Sequence, residues 1–157
     1  MEIVLITVGK TTTDYIQKGI EEYCKRLRRY VTFSIKSLPD VKNGKKMSEE
    51  QQKTAESSII LSEITSSDYV VLLDERGGMM TSRQFSDFLQ KVMLGGKKRI
   101  VFVVGGPYGF SAETYARKDA MLSFSRMTFS HEMIRLFFVE QLYRANTILR
   151  NEPYHHD

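Results

Sequence analysis

Only a few side chains in this sequence can exchange a proton near neutral pH. The histidines are His131, His155 and His156, and the last two are adjacent and close to the C-terminus. Histidine is the residue used most often in acid–base catalysis. A metal site on His155 and His156 is disfavoured, because neighbouring histidines rarely point at one ion and no cysteine or carboxylate cluster accompanies them. The histidines are therefore candidates for proton transfer. The alternative for His155 and His156 is that they belong to a frayed polar end of the chain.

A cluster of glycines follows one apolar segment and could bring backbone amides close to a ligand. Gly105, Gly106 and Gly109 come directly after Val104, and glycine lets the backbone approach a bound group without interference from a Cβ atom. The spacing is not G-x-G-x-x-G, and there is no G-x-x-x-x-G-K-[ST] loop. A classical dinucleotide or P-loop site is thus disfavoured. The cluster is either another kind of ligand loop or a tight turn without a ligand.

The segment from Leu122 to His131 alternates small hydroxyl residues with apolar ones before a helix begins. Its backbone groups could bond the edge of an adenine, while Phe124, Met127 and Phe129 supply apolar surface around it. The simpler alternative is a short strand followed by a helix whose N-cap is Ser130.

The composition predicts one ordinary globular domain spanning residues 1–157. Hydrophobic residues make up 41% and charged residues 27% of the sequence, and no apolar run approaches the roughly 20 residues of a membrane span. The first residues lack the features of a signal peptide, so we expect a cytoplasmic protein without a membrane association. The single cysteine, Cys24, lies on the apolar stripe of a predicted helix and is expected to be a buried structural thiol.

The charge of the chain points to an anionic partner. The net charge is +4 and the isoelectric point is about 9.1. Basic residues cluster in three places, each of which suits nucleic acid or is simply a solvated face: Lys25, Arg26, Arg28 and Arg29; Lys42, Lys45 and Lys46; Lys97, Lys98 and Arg99.

Strands and helices alternate along the predicted chain. Buried or alternating apolar runs predict strands at residues 3–8, 31–35, 69–73, 100–104 and 121–124. Helical spacing and capping boxes at Ser48 and Thr81 predict helices at 11–29, 48–64, 81–95, 111–117 and 131–150. This order predicts an α/β fold with a parallel sheet and helices on both faces. Ligands bind beyond the carboxyl ends of such strands, which directs attention to the loops after Leu73, Val104 and Phe124.

Several motifs, in the same order along essentially the whole chain, resemble the RlmH family. They are Val8-Gly9-Lys10, Gly105-Gly106-x-x-Gly109, Leu122-Ser-Phe-Ser-x-Met-Thr-Phe-x-His131, Glu140-Gln-Leu-Tyr-Arg-Ala145 and Tyr154-His155-His156. That family comprises bacterial SPOUT-class enzymes that methylate N3 of a pseudouridine in 23S ribosomal RNA. The resemblance implies a SPOUT methyltransferase fold, whose C-terminal part is threaded as a trefoil knot. Knots are nearly absent from proteins, so general topology rules would not predict one.

The resemblance also implies a cofactor and site residues. The methyl donor would be S-adenosylmethionine, and the tail, residues 153–157, would lie over the target base, where Tyr154 stacks and His155 bonds or deprotonates it. Arg135 and Arg144 would contact phosphate or the rRNA backbone, and Arg126 would project from the cofactor loop; the alternative for each arginine is a surface or interface ion pair. The implied cofactor contacts are Leu73, Gly105, Phe124, Ser125, Arg126, Met127, Thr128 and Phe129.

Two positions depart from the family pattern: Ser130 replaces a usual proline, and Gly78 replaces a lysine that commonly follows Gly77.

Two partners are expected. The resemblance implies 23S rRNA within the assembled ribosome. A second copy of the chain is expected because the helix 131–150 is apolar around much of its circumference. Two other functions stay open at this point. One is a non-enzymatic RNA-binding module; the other, a nucleotide-dependent oxidoreductase, lacks the usual acidic ribose partner.

Overall fold

The computed structural model describes all 157 residues and arranges five strands in one parallel sheet. The sheet order is β2-β1-β4-β3-β5, and every neighbouring pair is parallel. The predicted α/β class with a parallel sheet is confirmed. The strands are β1 (Glu2–Val8), β2 (Thr32–Leu38), β3 (Tyr69–Met79), β4 (Arg99–Val104) and β5 (Ala120–Ser123).

Five α-helices and one 3₁₀ turn connect these strands. Both predicted capping boxes are present: the Ser48 and Thr81 hydroxyls each accept a hydrogen bond from the backbone three residues on, at 3.1 Å. Such bonds satisfy backbone donors that have no partner inside the helix. The helices are α1 (Asp14–Leu27), α2 (Glu49–Ser62), α3 (Ser82–Leu94), α4 (Ala112–Arg117) and α5 (His131–Leu149), and the 3₁₀ turn is Gly44–Lys46.

The sheet is covered on both faces, as predicted. Alternate residues of a strand point to opposite faces, so Ile3 and Leu5 pack in the layer that contains α1, α3 and α5, whereas Val4 and Ile6 pack with α2 and α4. Burying one such side chain contributes about 1.5–3 kcal/mol. Burial on both faces explains why β1 reads as a continuous apolar run rather than an alternating one.

The third strand is longer than the sequence predicts. It continues past Leu73 to Met79, and its register against β5 shifts between Leu73 and Gly78. The predicted end at Leu73 was wrong, because the polar residues that follow form an irregular stretch within a pair of strands rather than a loop. A Cβ atom at Gly77 would lie 2.6 Å from the backbone nitrogen of Leu122, so only glycine fits there.

Helix α5 occupies the middle of its layer, between α1 and α3. Phe138, Val139 and Leu142 of this helix are completely buried, so much of the apolar circumference is covered within one chain. Phe137 on the outer face remains 38% exposed. The apolar surface left for a second copy is therefore smaller than the sequence predicts. None of the helices has the length and apolar character that crossing a membrane requires.

Candidate active site

A cleft of about 940 Å³ opens beside Leu73 of β3 and the carboxyl ends of β4 and β5, close to the predicted edge for a ligand in a parallel sheet. The three segments singled out in the sequence meet there, although the one after Leu73 is an irregular part of β3 rather than a loop. Arg126 is the one residue of the predicted cofactor set that is not in the lining, and its side chain is exposed. The others all line the cleft: Leu73, Gly105, Phe124, Ser125, Met127, Thr128 and Phe129.

The glycine loop after β4 is packed so closely that its backbone has no room for side chains. A Cβ atom on Gly105 would lie 3.0 Å from the ring of Phe110, and one on Gly106 would lie 2.2 Å from a carboxylate oxygen of Glu56. Glu56 belongs to α2 and is only 5% exposed. Sequence analysis missed this residue, because nothing in α2 marks one of its glutamates as buried. Packing within the protein therefore requires glycine at Gly105 and Gly106, and the backbone of both residues lies in the lining of the cleft.

Hydroxyl groups fold the segment between β5 and α5 onto itself. The Ser123 hydroxyl donates to the carbonyl oxygen of Ser125 at 2.9 Å, and the Ser125 hydroxyl accepts from the backbone of Met127 at 3.0 Å. Ser130 caps α5 by accepting from the backbone nitrogen of Met133 at 3.1 Å. The serine that replaces the family's usual proline therefore begins the helix by a different means.

A polar part of the cleft was not predicted. Tyr115 of α4 donates a hydrogen bond to Asp74, which also accepts from the backbone nitrogen of Arg76 at 2.8 Å. Burial, together with the Asp74 carboxylate, raises the pKa of Tyr115 to about 12. The phenol therefore keeps its proton near neutral pH and acts as a donor. The only sequence signal for this pair is that Asp74 directly follows Leu73.

Arg135 lies inside the molecule and is 2% exposed. Its guanidinium donates to the carbonyl oxygen of Gly9 at 3.1 Å, to the hydroxyl of Thr11 at 3.0 Å and to the carbonyl oxygen of Val8 at 3.0 Å. Burial lowers the pKa of this arginine. The structure contradicts the predicted rRNA contact of Arg135, because a phosphate cannot reach a guanidinium that is buried and bonded to backbone oxygens. Its role is to tie α5 to the loop after β1.

Glu132 makes a second tie between α5 and the same loop. Its carboxylate accepts from the backbone nitrogens of Thr12 at 2.6 Å and Thr13 at 3.0 Å. Thr13 is the N-cap of α1 but makes no side-chain cap bond, and Glu132, distant in sequence, instead accepts from the backbone N–H of the N-cap residue itself. These backbone bonds, that of Thr13 first, lower the pKa of Glu132. We call Glu132 and Arg135 together the α5 clamp.

The predicted catalytic residues of the tail do not line the cleft of their own chain. The ring of Tyr154 meets that of Tyr143 edge-on at 4.7 Å, and its hydroxyl donates to Glu140 at 3.0 Å. The same hydroxyl lies 3.3 Å from that of Tyr23. Burial and these contacts raise the pKa of Tyr154. The tail is therefore folded against α1 and α5, and the alternative of a frayed end does not describe this structure.

His155 is held between two charged side chains. Its Nδ1 lies 3.2 Å from a nitrogen of Arg144, and its Nε2 lies 2.7 Å from a carboxylate oxygen of Asp157. Arginine only donates, so Nδ1 is the acceptor and Nε2 carries the proton directed at Asp157. Arg144, whose predicted partner is rRNA, is also bonded to Glu140 at 2.5 Å, and Asp157 is paired with Arg83 at 2.7 Å. No group of three or more His, Cys, Asp or Glu side chains is placed to hold a metal ion.

Comparison with known proteins agrees with this architecture. The family described as "Predicted SPOUT methyltransferase" matches residues 1–155. The ribosomal RNA large subunit methyltransferase H of Christiangramia forsetii is 53% identical over 156 residues, 99% of each chain. The protein of the same name from Porphyromonas gingivalis is 55% identical over 157 residues, 100% of each chain. A solved structure, a probable methylase family protein from Haemophilus influenzae, has a TM-score of 0.54 at 13% identity, covering 95% of this chain and 66% of that one.

The parallel sheet, the cleft at its carboxyl edge and the match over residues 1–155 define a SPOUT methyltransferase. Enzymes of this class use S-adenosylmethionine as the methyl donor, so the predicted enzyme class and cofactor are confirmed. Within the class, the chain belongs to the family of the ribosomal RNA large subunit methyltransferases H. The predicted resemblance is thereby confirmed, and the oxidoreductase and the non-enzymatic RNA-binding module are set aside.

Proposed function

We propose that the chain transfers the methyl group of S-adenosylmethionine to N3 of a pseudouridine in 23S ribosomal RNA within the ribosome. The relatives that are more than half identical over their whole length are named as methyltransferases of large-subunit ribosomal RNA. The observation that carries the proposal is the convergence on one cleft of the irregular part of β3 after Leu73, the glycine loop after Val104 and the segment 124–129. The nucleotide and the atom that is methylated follow from the family resemblance of the sequence.

The residues around the cleft suit an adenine-containing cofactor. The backbone at Gly105 and Gly106 is free of Cβ atoms, and Phe124, Met127 and Phe129 add apolar surface beside it. These residues, with Leu73, would hold S-adenosylmethionine, which supplies an electrophilic methyl group on its sulfonium. The protein must then orient the base and assist the loss of its N3 proton.

The contacts of the tail favour His155 over Tyr154 as the group that takes this proton. The raised pKa of Tyr154 means that its phenolate is scarce near neutral pH, so it is a poor base. Its ring and hydroxyl are already bonded to Tyr143 and Glu140, which suits an anchor for the tail. Nδ1 of His155 has a lone pair that can accept a proton, but Arg144 donates a hydrogen bond to it. Proton transfer to His155 therefore requires the contact with Arg144 to open when the substrate binds.

A second copy of the chain would complete the site. A smaller hollow of about 380 Å³ adjoins the cleft and shares Phe124 and Phe129 with it. Its edge includes the exposed side chains of Met80 and Phe137, and the nearby Met127 is 75% exposed. A homodimer that covers this apolar surface would bring the partner's tail next to the cleft. Since the tail does not line its own cleft, each active site would combine a cofactor cleft and the tail of the other copy.

The proposal is tested with ribosomes that lack the modification. The protein is incubated with S-adenosylmethionine carrying a labelled methyl group, and the rRNA is then digested and its labelled nucleoside identified. We expect one labelled product, N3-methylpseudouridine, in 23S rRNA, and none with heat-denatured protein. Label in a different nucleoside would correct the substrate atom. Absence of label from all rRNA, with cofactor binding intact, would overturn the proposed function.

A further inference from the structure

The ends of α1 and α5 carry arginines that lie on tyrosine rings. The guanidinium carbon of Arg26 lies 5.3 Å from the centre of the Tyr23 ring, and those of Arg29 and Arg150 lie 5.2 Å and 4.8 Å from the centre of the Tyr30 ring. Stacking of this kind holds a guanidinium in place while its edge stays available for hydrogen bonds. We call these five residues the tyrosine–arginine face.

The positive charge of this face is compensated only in part, by Glu22 and by Glu152, whose carboxylate accepts from the Tyr30 hydroxyl and interacts electrostatically with Arg29. Arg26 is paired with Glu22 at 3.0 Å, but no carboxylate lies within ion-pair distance of Arg29 or Arg150. Arg29 donates once, to the hydroxyl of Tyr30 at 3.2 Å, and the side chain of Arg150 makes no hydrogen bond within the protein. Arg29 and Arg150 are exposed. Most of their N–H groups are therefore free to bind an outside acceptor.

The face is continuous with the tail. The hydroxyl of Tyr30 donates to the carboxylate of Glu152 at 2.5 Å, and the hydroxyl of Tyr23 meets that of Tyr154 at 3.3 Å. Two tyrosines of the face thus hold the segment that carries His155. A polynucleotide with one base at His155 would extend over the stacked arginines beside it.

We propose that the tyrosine–arginine face binds the phosphate backbone of the ribosomal RNA next to the target nucleotide. The inference rests on the proposed function, because it takes its ligand from that reaction. The planar fork of a guanidinium matches two oxygens of one phosphate. Arg29 and Arg150 share one ring, so they are placed to bind neighbouring phosphates. The face is bonded to the tail that carries His155, which the other two basic clusters of the sequence are not.

The test compares the native protein with the double variant Arg29→Gln and Arg150→Gln. Binding to large ribosomal subunits that lack the modification is measured at several salt concentrations. Each phosphate contact contributes about 0.7–0.9 to the slope of log affinity against log salt, so the variant should lose about 1.5 of that slope and roughly ten-fold in affinity. Affinity for S-adenosylmethionine should be unchanged. The matched control is Lys97→Gln with Lys98→Gln, which removes the same charge from a loop that has no bond or stacking contact with the face.

Variants of Tyr30 test whether its ring contributes to RNA binding by holding the two arginines in place. Tyr30→Phe keeps the ring surface but loses the bonds to Arg29 and Glu152, so it should weaken binding less than Tyr30→Leu, which removes the surface as well. An unchanged salt slope in the arginine variant, or an equal loss in the lysine control, overturns the proposal. If the native protein methylates rRNA but the arginine variant keeps the native salt slope, the proposed RNA surface is wrong and the proposed function is unaffected. If the native protein and the variant bind with the expected slopes but the native protein transfers no methyl group, the proposed function is wrong and the RNA surface is supported.

Discussion

The guanidinium of Arg135 donates to the carbonyl oxygen of Gly9 at 3.1 Å and so joins residues that are 126 positions apart. Glu132 makes the matching contact with the start of α1. Helix α5 begins just after the segment 124–129, so the α5 clamp fixes one end of the proposed cofactor loop. Its contribution is to position that loop, because neither side chain lines the cleft.

Replacing Arg135 with methionine should destabilise the protein. The variant leaves the carbonyl oxygen of Val8 without the Arg135 donor and removes one of the two donors to the carbonyl oxygen of Gly9, which also accepts from the Thr7 hydroxyl at 3.3 Å. An unsatisfied buried acceptor costs about 1–3 kcal/mol, and the lost packing of the arginine side chain adds to this. We expect the free energy of unfolding in urea to fall by about 2–4 kcal/mol. Arg126→Met is the control, since this exposed side chain makes no bond and should change stability by less than about 0.5 kcal/mol. Unchanged stability with weaker rRNA binding would restore Arg135 as an RNA contact.

Replacing Gly105 with valine should abolish cofactor binding in a folded protein. A branched side chain would occupy the space beside the Phe110 ring and the backbone surface that faces the cleft. Overpacking against Phe110 also lowers the folding stability by about 1–3 kcal/mol, so the expected result is a folded but less stable protein whose cofactor affinity is lost. Calorimetry with S-adenosylmethionine measures it. Gly78→Ala is the control, because a Cβ atom there meets nothing within 4 Å. Undiminished affinity in a folded Gly105→Val protein would remove Gly105 from the site.

The features that the sequence predicted correctly depend on local signals. The capping boxes at Ser48 and Thr81 need only neighbouring residues, and continuous apolar runs identify buried strands without reference to a partner. The continuation of β3 to Met79 could not be predicted, since its cause is pairing with β5. β2 likewise extends beyond residue 35 to Leu38, which pairs with Val8. The trefoil knot comes from family resemblance alone and stays a prediction.

The structure brings most of the predicted cofactor residues together in one cleft, whereas it buries Arg135 away from any rRNA. Loops at the carboxyl ends of parallel strands meet by topology, so Gly105 and Phe124 could be placed together in advance. The sequence pattern of a helix does not distinguish an arginine that faces solvent from one that faces the interior, and the side chain of Arg135 faces the interior. Asp74 and Tyr115 escaped notice because they become partners only through tertiary packing.

The Tyr115 phenol should make stability depend on alkaline pH. Its folded pKa, about 12, lies above the ordinary value of 10.0, so the fold favours the neutral form. This contribution is complete below pH 10 and is lost as the pH rises to about 12. Tyr115→Phe has no such proton, so the stability difference between the two proteins should shrink over that range. Urea unfolding of both proteins at several pH values measures it, and a difference that stays constant up to pH 12 would contradict the contact with Asp74.

Replacing Phe137 with aspartate should dissociate the proposed dimer. Phe137 packs edge-on against Phe129 at 5.1 Å and is exposed in the single chain. A charge in a buried apolar interface would cost more than the contact contributes. Sedimentation should show a dimer for the native protein and a monomer for the variant. Leu94→Asp, on a side chain that is exposed at the end of α3, serves as the control and should stay dimeric. A native protein that is monomeric at micromolar concentration would contradict the dimer itself.

Deleting residues 153–157 should spare cofactor affinity and lower methylation strongly. The deletion leaves every lining residue of the cleft in place but removes His155 and the anchor Tyr154. His155→Ala and Tyr154→Ala should each reproduce part of the loss, while Tyr154→Phe keeps the ring that packs on Tyr143 and should lose less. Methylation of ribosomes at the native rate by the truncated protein would show that the tail has no part in catalysis.

A mixed dimer decides whether the tail acts on its own cleft or on that of the partner. One copy carries Gly105→Val and an intact tail, and the other has an intact cleft but lacks residues 153–157; different affinity tags allow the mixed dimer to be isolated. Each homodimer should be inactive. If the tail acts across the interface, the mixed dimer contains one complete site and should methylate at about half the native rate. If the tail acts within its own chain, no complete site exists and the mixed dimer should be inactive. A control dimer with Gly78→Ala in place of Gly105→Val should give about half the native rate in either case, which establishes that mixing and purification preserve activity.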